Sequence, residues 1–382
     1  VDFTFTPEQE DFRRELRAFG EKVLAPHYRA DDLIGAMRPD LPSAMAGMGL
    51  LGLRAPERFG GQEADAVTTG LAAHEISRAD FNACYLLLNA ALVTDILLAG
   101  AGEAQLARWL PSIAAGELLP AVMLTEPGYG SDAAHLELRA IPDADGGWRL
   151  VGEKTSISLG MAAHGGTLFA RTGGPGARGV SAFMVEFDEE FVARTPLDDL
   201  GSRSIGRCSL YFDGLPVSRE NLIGAEGEGF IRVMQGFDYS RAVIGLMCLG
   251  VAAAALDDAL QYARTRETFG RPIGTYQGLA FPLVECATQL RAATHLCFEA
   301  LALKDAGRDP AVPANMAKWW APKLSVDIIH QALLTFGHAG FSTDNPQGQR
   351  LRDVIGLEIG DGTAQIAKLV VARHLLGREF AP

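Results

Sequence analysis

Two carboxylates stand out by where the sequence puts them. The stretch "IGLEIGDGTAQIAKL" (355–369) sets Asp361 between Gly360 and Gly362, just ahead of a helical pattern. Glycines there let the backbone turn sharply and come close to a ligand, with the aspartate held at the bend. Asp361 is then either a helix N-cap, a role aspartate favours, or a base placed to remove a proton. Thr363 can cap that helix by itself, which leaves Asp361 free. The second carboxylate is Asp95 in "NAALVTDILLAG" (89–100), alone on an apolar helix. A carboxylate so placed needs a partner or a neutralising proton. It bonds a neighbouring backbone or hydroxyl group, or it handles a proton itself.

Other chemistries lack their residues. There is no GxxxxGK[ST] loop, since "GEKT" at 152–155 has no Gly-Lys pair. The glycines of "GAEGEGF" do not lie between a strand and a helix of a βαβ unit, so a dinucleotide fingerprint is not formed there. No HExxH helix and no GxSxG elbow occurs, and the eight histidines are scattered. His74 beside Glu75 has no metal-ligand partner at helical spacing, so it reads as a surface or satisfied core residue. The formal charge of -13 is the wrong sign for a general grip on a nucleic-acid backbone. Five cysteines (Cys84, Cys208, Cys248, Cys286 and Cys297) show no CxxC spacing and no disulfide framework, which predicts a reduced, cytoplasmic setting.

The elements that must position these groups fall into three zones. The chain has 382 residues, 48% apolar and 21% charged, long enough for two or three packed units. No run approaches the roughly 18 uninterrupted apolar residues of a bilayer span, and the first residues show neither a basic nor an apolar leader pattern. Residues 1–118 read as helices, opened by "TPEQ" (6–9), a capping box with proline at the first helical position. Residues 119–226 carry short β-rich runs such as "GGWRLVGEK", "TLFAR", "VSAFMVEF" and "CSLYFDG" between Gly and Pro clusters, predicting an antiparallel β domain. From 227 to 382 long Ala- and Leu-rich helical patterns return, apolar on more than one side, as in a helical bundle. The fold class expected is therefore a multi-domain α+β protein ordered helical, β, helical.

Five strings, "LTEPGYGSD" (124–132), "GEKTSIS" (152–158), "ENLIGAEGEGF" (220–230), "TRETFGRPIGTYQ" (265–277) and "GDGTAQI" (360–366), stand in the order and spacing of the acyl-CoA dehydrogenases. The chain resembles that family over essentially its whole length. The resemblance implies removal of the proton α to a thioester by a carboxylate, with the β-hydrogen passing as hydride to FAD. It makes Asp361 the base, in a family that usually places glutamate there. It places Thr125 and the backbone at Met123 and Leu124 on the flavin ring, Ser158 near flavin N5, and Ser131 where the flavin phosphates and the pantetheine arm pass. Arg266, Thr268, Phe269 and Gln277 match residues that reach the FAD of a neighbouring subunit, and Gly337 remains from a second such segment. Thr363 and Gln365 match contacts to the adenosine half of FAD. Phe237 and Asp238 match contacts to CoA, Arg241 lies near the active-site floor, and the Gly362 N–H faces the thioester carbonyl. The partners implied are an acyl-CoA thioester, electron-transferring flavoprotein as acceptor, and further copies of this chain, at least a dimer and commonly a tetramer.

The departures from the family carry information too. Aspartate in place of glutamate shortens the base by one C–C bond, roughly 1.5 Å. Ser156 stands where many relatives have an aromatic side chain against the flavin, Leu334 and His338 replace a glutamine and a glycine, and Ser240 fills a place where some relatives carry the base. Asp95 falls on a helix whose family counterpart lines the acyl pocket. Together with "DLGSRSIGR" (199–207), "FDYSR" (237–241) and "KWWAPK" (318–323), these features resemble the cyclohexanecarboxyl-CoA and cyclohexenecarboxyl-CoA dehydrogenases. The substrate expected is cyclohexanecarboxyl-CoA. Alternatives are 1,4-dehydrogenation of the cyclohexene ring thioester, a short branched acyl-CoA, or a nitroalkane-oxidase-like flavoenzyme, which also uses an aspartate base.

Overall fold

The computed structural model describes residues 4–379, with the side chains of Arg232, Gln235 and Asp238 outside the described set. Helices α1 (Pro7–Phe19), α2 (Ala25–Ile34), α3 (Leu41–Gly47), α4 (Ala66–Ala79), α5 (Cys84–Gly100) and α6 (Glu103–Ala114) come first. α1 begins as its sequence dictates: Thr6 Oγ1 accepts from the Gln9 N–H at 3.2 Å, and Gln9 Oε1 accepts from the Thr6 N–H at 3.1 Å. α5 is buried on almost every side, and so its apolar residues need no amphipathic pattern.

The middle of the chain forms one sheet from β1 (Pro120–Met123), β2 (Arg139–Pro142), β3 (Trp148–Ile157), β4 (Gly165–Arg171), β5 (Val180–Glu186), β6 (Val192–Pro196), β7 (Cys208–Val217) and β8 (Leu222–Ile223). Its order is β6-β7-β3-β2-β4-β5-β8, with β1 on β4. Most ladders are antiparallel, as the turn-punctuated runs predict. β1 differs: it pairs parallel with β4, Pro120 opposite Gly165 and Met123 opposite Leu168. No hairpin joins these two strands, so the antiparallel constraint of a short turn does not apply. Gly166 makes the pairing possible, since at φ +146° a Cβ there would stand 1.9 Å from the Ala121 carbonyl oxygen.

The C-terminal region begins with α7 (Gly229–Thr265), turns through a hairpin of β9 (Glu267–Thr268) and β10 (Arg271–Pro272), and continues as α8 (Gln277–Asp305), α9 (Ala311–Phe336), α10 (His338–Phe341), α11 (Gln347–Ile359) and α12 (Ala364–Leu376). Within α7, Tyr239–Thr265 is long and apolar enough to cross a bilayer, with a mean hydropathy of 1.9. That apolar surface is spent inside the protein: 83% of the window is buried. One hydrophobic core runs through both helical regions and a second fills the sheet. α4 and α7 meet closely at Gly250, where a Cβ would lie 2.2 Å from the His74 carbonyl oxygen.

Candidate active site

α11 ends where the Gly360 N–H bonds the Gly356 carbonyl at 2.9 Å. Gly360 itself is extended (φ −61°, ψ 151°). The chain turns on the next two residues, Asp361 at φ +54° and Gly362 at φ +96°. The bend thus uses one glycine and the aspartate, rather than both glycines. Aspartate is among the few residues that enter the left-handed region at modest cost, and such conformations gather at functional sites. Thr363 caps α12, its side chain accepting from the Ile366 N–H at 3.4 Å. Asp361 is therefore not the cap, and its carboxylate accepts no hydrogen bond among the described residues.

Asp361 is exposed at the bend, yet neighbouring elements enclose its carboxyl group. That enclosure pushes its carboxyl above the usual carboxylate range, against the pull of Lys318 on α9 and Arg241 on α7. Burial raises the phenol of Tyr85 at the start of α5, and the nearby Asp361 charge adds to that shift. Arg241 is buried, and its guanidinium reaches within 4.0 Å of where a Gly362 Cβ would stand. Lys318 is 1% exposed and donates to the Leu357 and Gly362 carbonyls at 2.9 and 2.8 Å. Lys318 lies within "KWWAPK", where no sequence pattern assigns it a role. A lysine inside an otherwise apolar helical run was the available signal.

A second clamp organises the residues matched to the flavin. Lys154 of β3, 0% exposed, donates to the Leu124 carbonyl at 3.0 Å and to Glu126 Oε1 at 2.8 Å. Glu126 also accepts from the Glu137 and Leu138 N–H groups at 2.5 and 2.9 Å. The Thr155 N–H bonds the Thr125 carbonyl at 2.9 Å. These bonds bring Met123, Leu124 and Thr125 at the end of β1 beside the end of β3, where Ser156 and the following turn with Ser158 lie. Ser156 has φ +59° and is exposed, so the backbone enters the left-handed region at this position. Ser131 is exposed on the loop that Glu126 anchors. Glu126 and Lys154 stand 28 positions apart, and no local sequence pattern pairs them.

The residues matched to a neighbouring subunit's cofactor are all exposed. Arg266 closes α7, and no hydrogen bond or ion pair of its guanidinium is found among the described residues. The β9–β10 hairpin carries Thr268 and lifts Phe269, at φ +48°, to 94% exposure. Gln277 begins α8 with its side chain exposed. Gly337, at φ +60°, ends α9, and Gln365 is exposed at the start of α12. Of the residues matched to CoA, Phe237 is buried in the core at 7% exposure, and the Asp238 side chain lies outside the described residues.

Asp95 is held by neither of the partners its sequence suggests. Its Oδ1 accepts from Arg54 Nε at 3.2 Å, and Arg54 also donates to the Ala64 carbonyl and stacks over the Tyr239 ring at 5.2 Å. Its Oδ2 is buried with no hydrogen-bond partner. Burial pushes this carboxyl up while Arg54 opposes the shift.

The described donors suit a flavin dinucleotide: hydroxyls at Thr125 and Ser158, amides at Gln277 and Gln365, and the uncommitted fork of Arg266 for a pyrophosphate. Three family models match in sequence, acyl-CoA dehydrogenase N-terminal domain over residues 6–117, middle domain over 121–215 and C-terminal domain over 227–376. The chain is 36% identical to an acyl-CoA dehydrogenase of Bacillus subtilis, over 97% of this chain and 99% of that one. It is 32% identical to cyclohexane-1-carbonyl-CoA dehydrogenase of Geobacter metallireducens, over 98% and 99%. The structure of butyryl-CoA dehydrogenase from Megasphaera elsdenii superposes with a TM-score of 0.95 at 30% identity, covering 98% of this chain and 100% of that chain. Matched along nearly its whole length in both sequence and fold, the chain belongs to the acyl-CoA dehydrogenase family and is an oxidoreductase whose cofactor is FAD.

Proposed function

We propose that the chain dehydrogenates an alicyclic acyl-CoA thioester, with cyclohexanecarboxyl-CoA as the preferred substrate and Asp361 as the base. The observation that carries this reading is the placement of Asp361, on a left-handed bend, free of any capping bond and facing Lys318 and Arg241. Enclosure raises its basicity while the two cations oppose that shift, which suits a group that removes a weakly acidic α-proton. The Gly362 N–H donates to the thioester oxygen as negative charge develops there. Arg241 lines the floor, with Ser131, Phe237 and Asp238 along the CoA path. Bound FAD would supply the hydride acceptor for the β-hydrogen. Thr125, the Met123–Leu124 backbone and Ser158 orient that cofactor, and Thr363 and Gln365 hold its adenosine half.

The alicyclic substrate is supported by the short base, by the missing aromatic bulk at Ser156, and by the cyclohexane-1-carbonyl-CoA dehydrogenase relative at 32% identity. A ring branched at Cα fills volume beside the flavin and brings its Cα–H toward a retracted carboxylate. Removal of hydrogen across a cyclohexene ring is the second reading. It draws on Asp95, whose buried and unpartnered Oδ2 is suited to hold a proton. The exposed apolar side chains of Phe269, Phe341 (89%) and Leu334 support assembly of several copies, with Arg266, Thr268, Phe269, Gln277 and Gly337 completing a neighbour's FAD site. Electrons then leave to electron-transferring flavoprotein. Five unpaired thiols fit a cytoplasmic setting.

Anaerobic flavin bleaching with linear, branched and cyclic acyl-CoA thioesters tests the reading on native protein, Asp361→Asn and Asp95→Asn. Fast bleaching by cyclohexanecarboxyl-CoA, lost by about a thousandfold in Asp361→Asn, is expected. Asp95→Asn should alter ring preference. Near-native reduction in Asp361→Asn, or rapid peroxide formation with nitroethane and no bleaching by any thioester, would overturn it.

A further inference from the structure

We infer that Lys318 is the positioning residue of the base: its ammonium ties the end of α11 to the far side of the Asp361 bend and sets a fixed positive charge beside that carboxylate. This rests on the assignment of Asp361 made above. The geometry asks for such a role. An ammonium at 1% exposure is costly to bury, and Lys318 meets that cost with two carbonyls, Leu357 in the last turn of α11 and Gly362 just past the base. Both acceptors flank Asp361 in the chain, so the lysine closes a loop around it. The negative end of the α11 dipole points the same way and favours a cation there.

The way the donors are spent matters more. Among the described residues, no ion pair within 4.0 Å joins Lys318 to Asp361, and Asp361 accepts no hydrogen bond. A base held in a direct salt bridge would have its lone pairs occupied. Here the lysine commits its N–H groups to backbone carbonyls and reaches the carboxylate through its field alone. Asp361 therefore keeps a free lone pair and a defined direction. Burial lowers the Lys318 ammonium, and the Asp361 charge is the main influence opposing that shift. The other groups facing this pair are Arg241 and Cys248 on α7, Glu358 on α11 and Tyr85 on α5.

The test separates geometry from charge with Lys318→Met, which removes both, and Lys318→Gln, which keeps one hydrogen bond and no charge. Asp361 is titrated by isotope-edited infrared spectroscopy of protein labelled at the aspartate carboxyl carbon, assigned from Asp361→Asn. In both variants the Asp361 midpoint should rise by about one pH unit or more. Flavin reduction should slow by about a hundredfold in Lys318→Met, the cost of a displacement near 1 Å, and less in Lys318→Gln. FAD retention and acyl-CoA dissociation constants should stay within about threefold of native, since the lysine is 1% exposed and offers a ligand no surface. An unmoved midpoint in a folded variant overturns the inference. So does a slow variant that has lost acyl-CoA or FAD binding in proportion. If neither variant folds, the reciprocal measurement decides: Asp361→Asn should lower the Lys318 midpoint, read from lysine ζ-nitrogen shifts, and an unchanged midpoint refutes the coupling. Failure of native protein to bleach with any thioester would instead remove the functional assignment, while leaving the infrared result intact.

Discussion

Breaking the Glu126–Lys154 pair should loosen the flavin-side loop without unfolding the protein. Both partners are buried, and their 2.8 Å separation corresponds to a gross attraction of about 6 kcal/mol at an effective dielectric near 20. Desolvation offsets much of that, so the pair adds little over an apolar replacement. Removing one partner is another matter. Lys154→Met strands a buried carboxylate and leaves the Leu124 carbonyl without its donor, a loss of about 3–5 kcal/mol. Glu126 also anchors the Glu137 and Leu138 N–H groups, so the loss should appear as local opening of 124–138. Hydrogen exchange followed by mass spectrometry reads this directly. A loss of about 3 kcal/mol lowers protection at those amides by roughly 150-fold, while α7 and α9 keep theirs. FAD affinity should fall in parallel, because Leu124 and Thr125 ride on the same loop. Glu126→Gln with Lys154→Met should exchange more slowly than Lys154→Met alone, since the stranded charge is gone. Native protection in Lys154→Met, or an additive double variant, would show that the pair does not clamp the loop.

Three further outcomes test the framework. Burial raises Asp80, which follows the last residue of α4, to about 7 and Asp353 of α11 to about 6. The folded state then holds more protons than the unfolded chain between about pH 4 and 7, so stability is greatest at the acid end and falls as pH rises through 7. Asp80→Asn keeps a capping oxygen for the Asn82 and Ala83 N–H groups, and should flatten the melting temperature between pH 5 and 7.5; an unchanged slope removes Asp80 from the account. Thr363→Ala removes the α12 cap and should cost about 1 kcal/mol in denaturant midpoint, with extra exchange in the first turn of α12; no change would mean that another group caps it. Gly250→Ala forces a Cβ to within 2.2 Å of His74 O and Ser77 Oγ, so α4 and α7 must part. A drop in thermal midpoint with acyl-CoA affinity lost is expected, and a native-like melt would contradict the close helix crossing.

Much of this protein was legible in its residue order because much of it is local. The Thr6–Gln9 box, the apolar run of α5, the β runs after each Gly and Pro cluster, and the Thr363 cap depend on neighbours within a few residues. The chemistry was legible for a related reason: a carboxylate set at a glycine-rich bend, in register with four other strings, leaves few functions open. Less legible was how the bend is made, because Gly360 and Gly362 look alike in sequence and only one adopts positive φ. The parallel pairing of β1 was hidden as well. Its partner is set by where the preceding helices deliver the chain, which no turn motif records.

The buried charges were decided only in three dimensions. Asp95 meets Arg54 from 41 positions away, Glu126 meets Lys154 from 28, and Lys318 meets Gly362 from 44. The sequence by itself could require that each such group find a partner, because an unsolvated charge is too costly to bury alone. It could not name the partner, since any element that folds alongside can supply one. Residue order determined which family and which cofactor; packing determined how the bend at Asp361 is held.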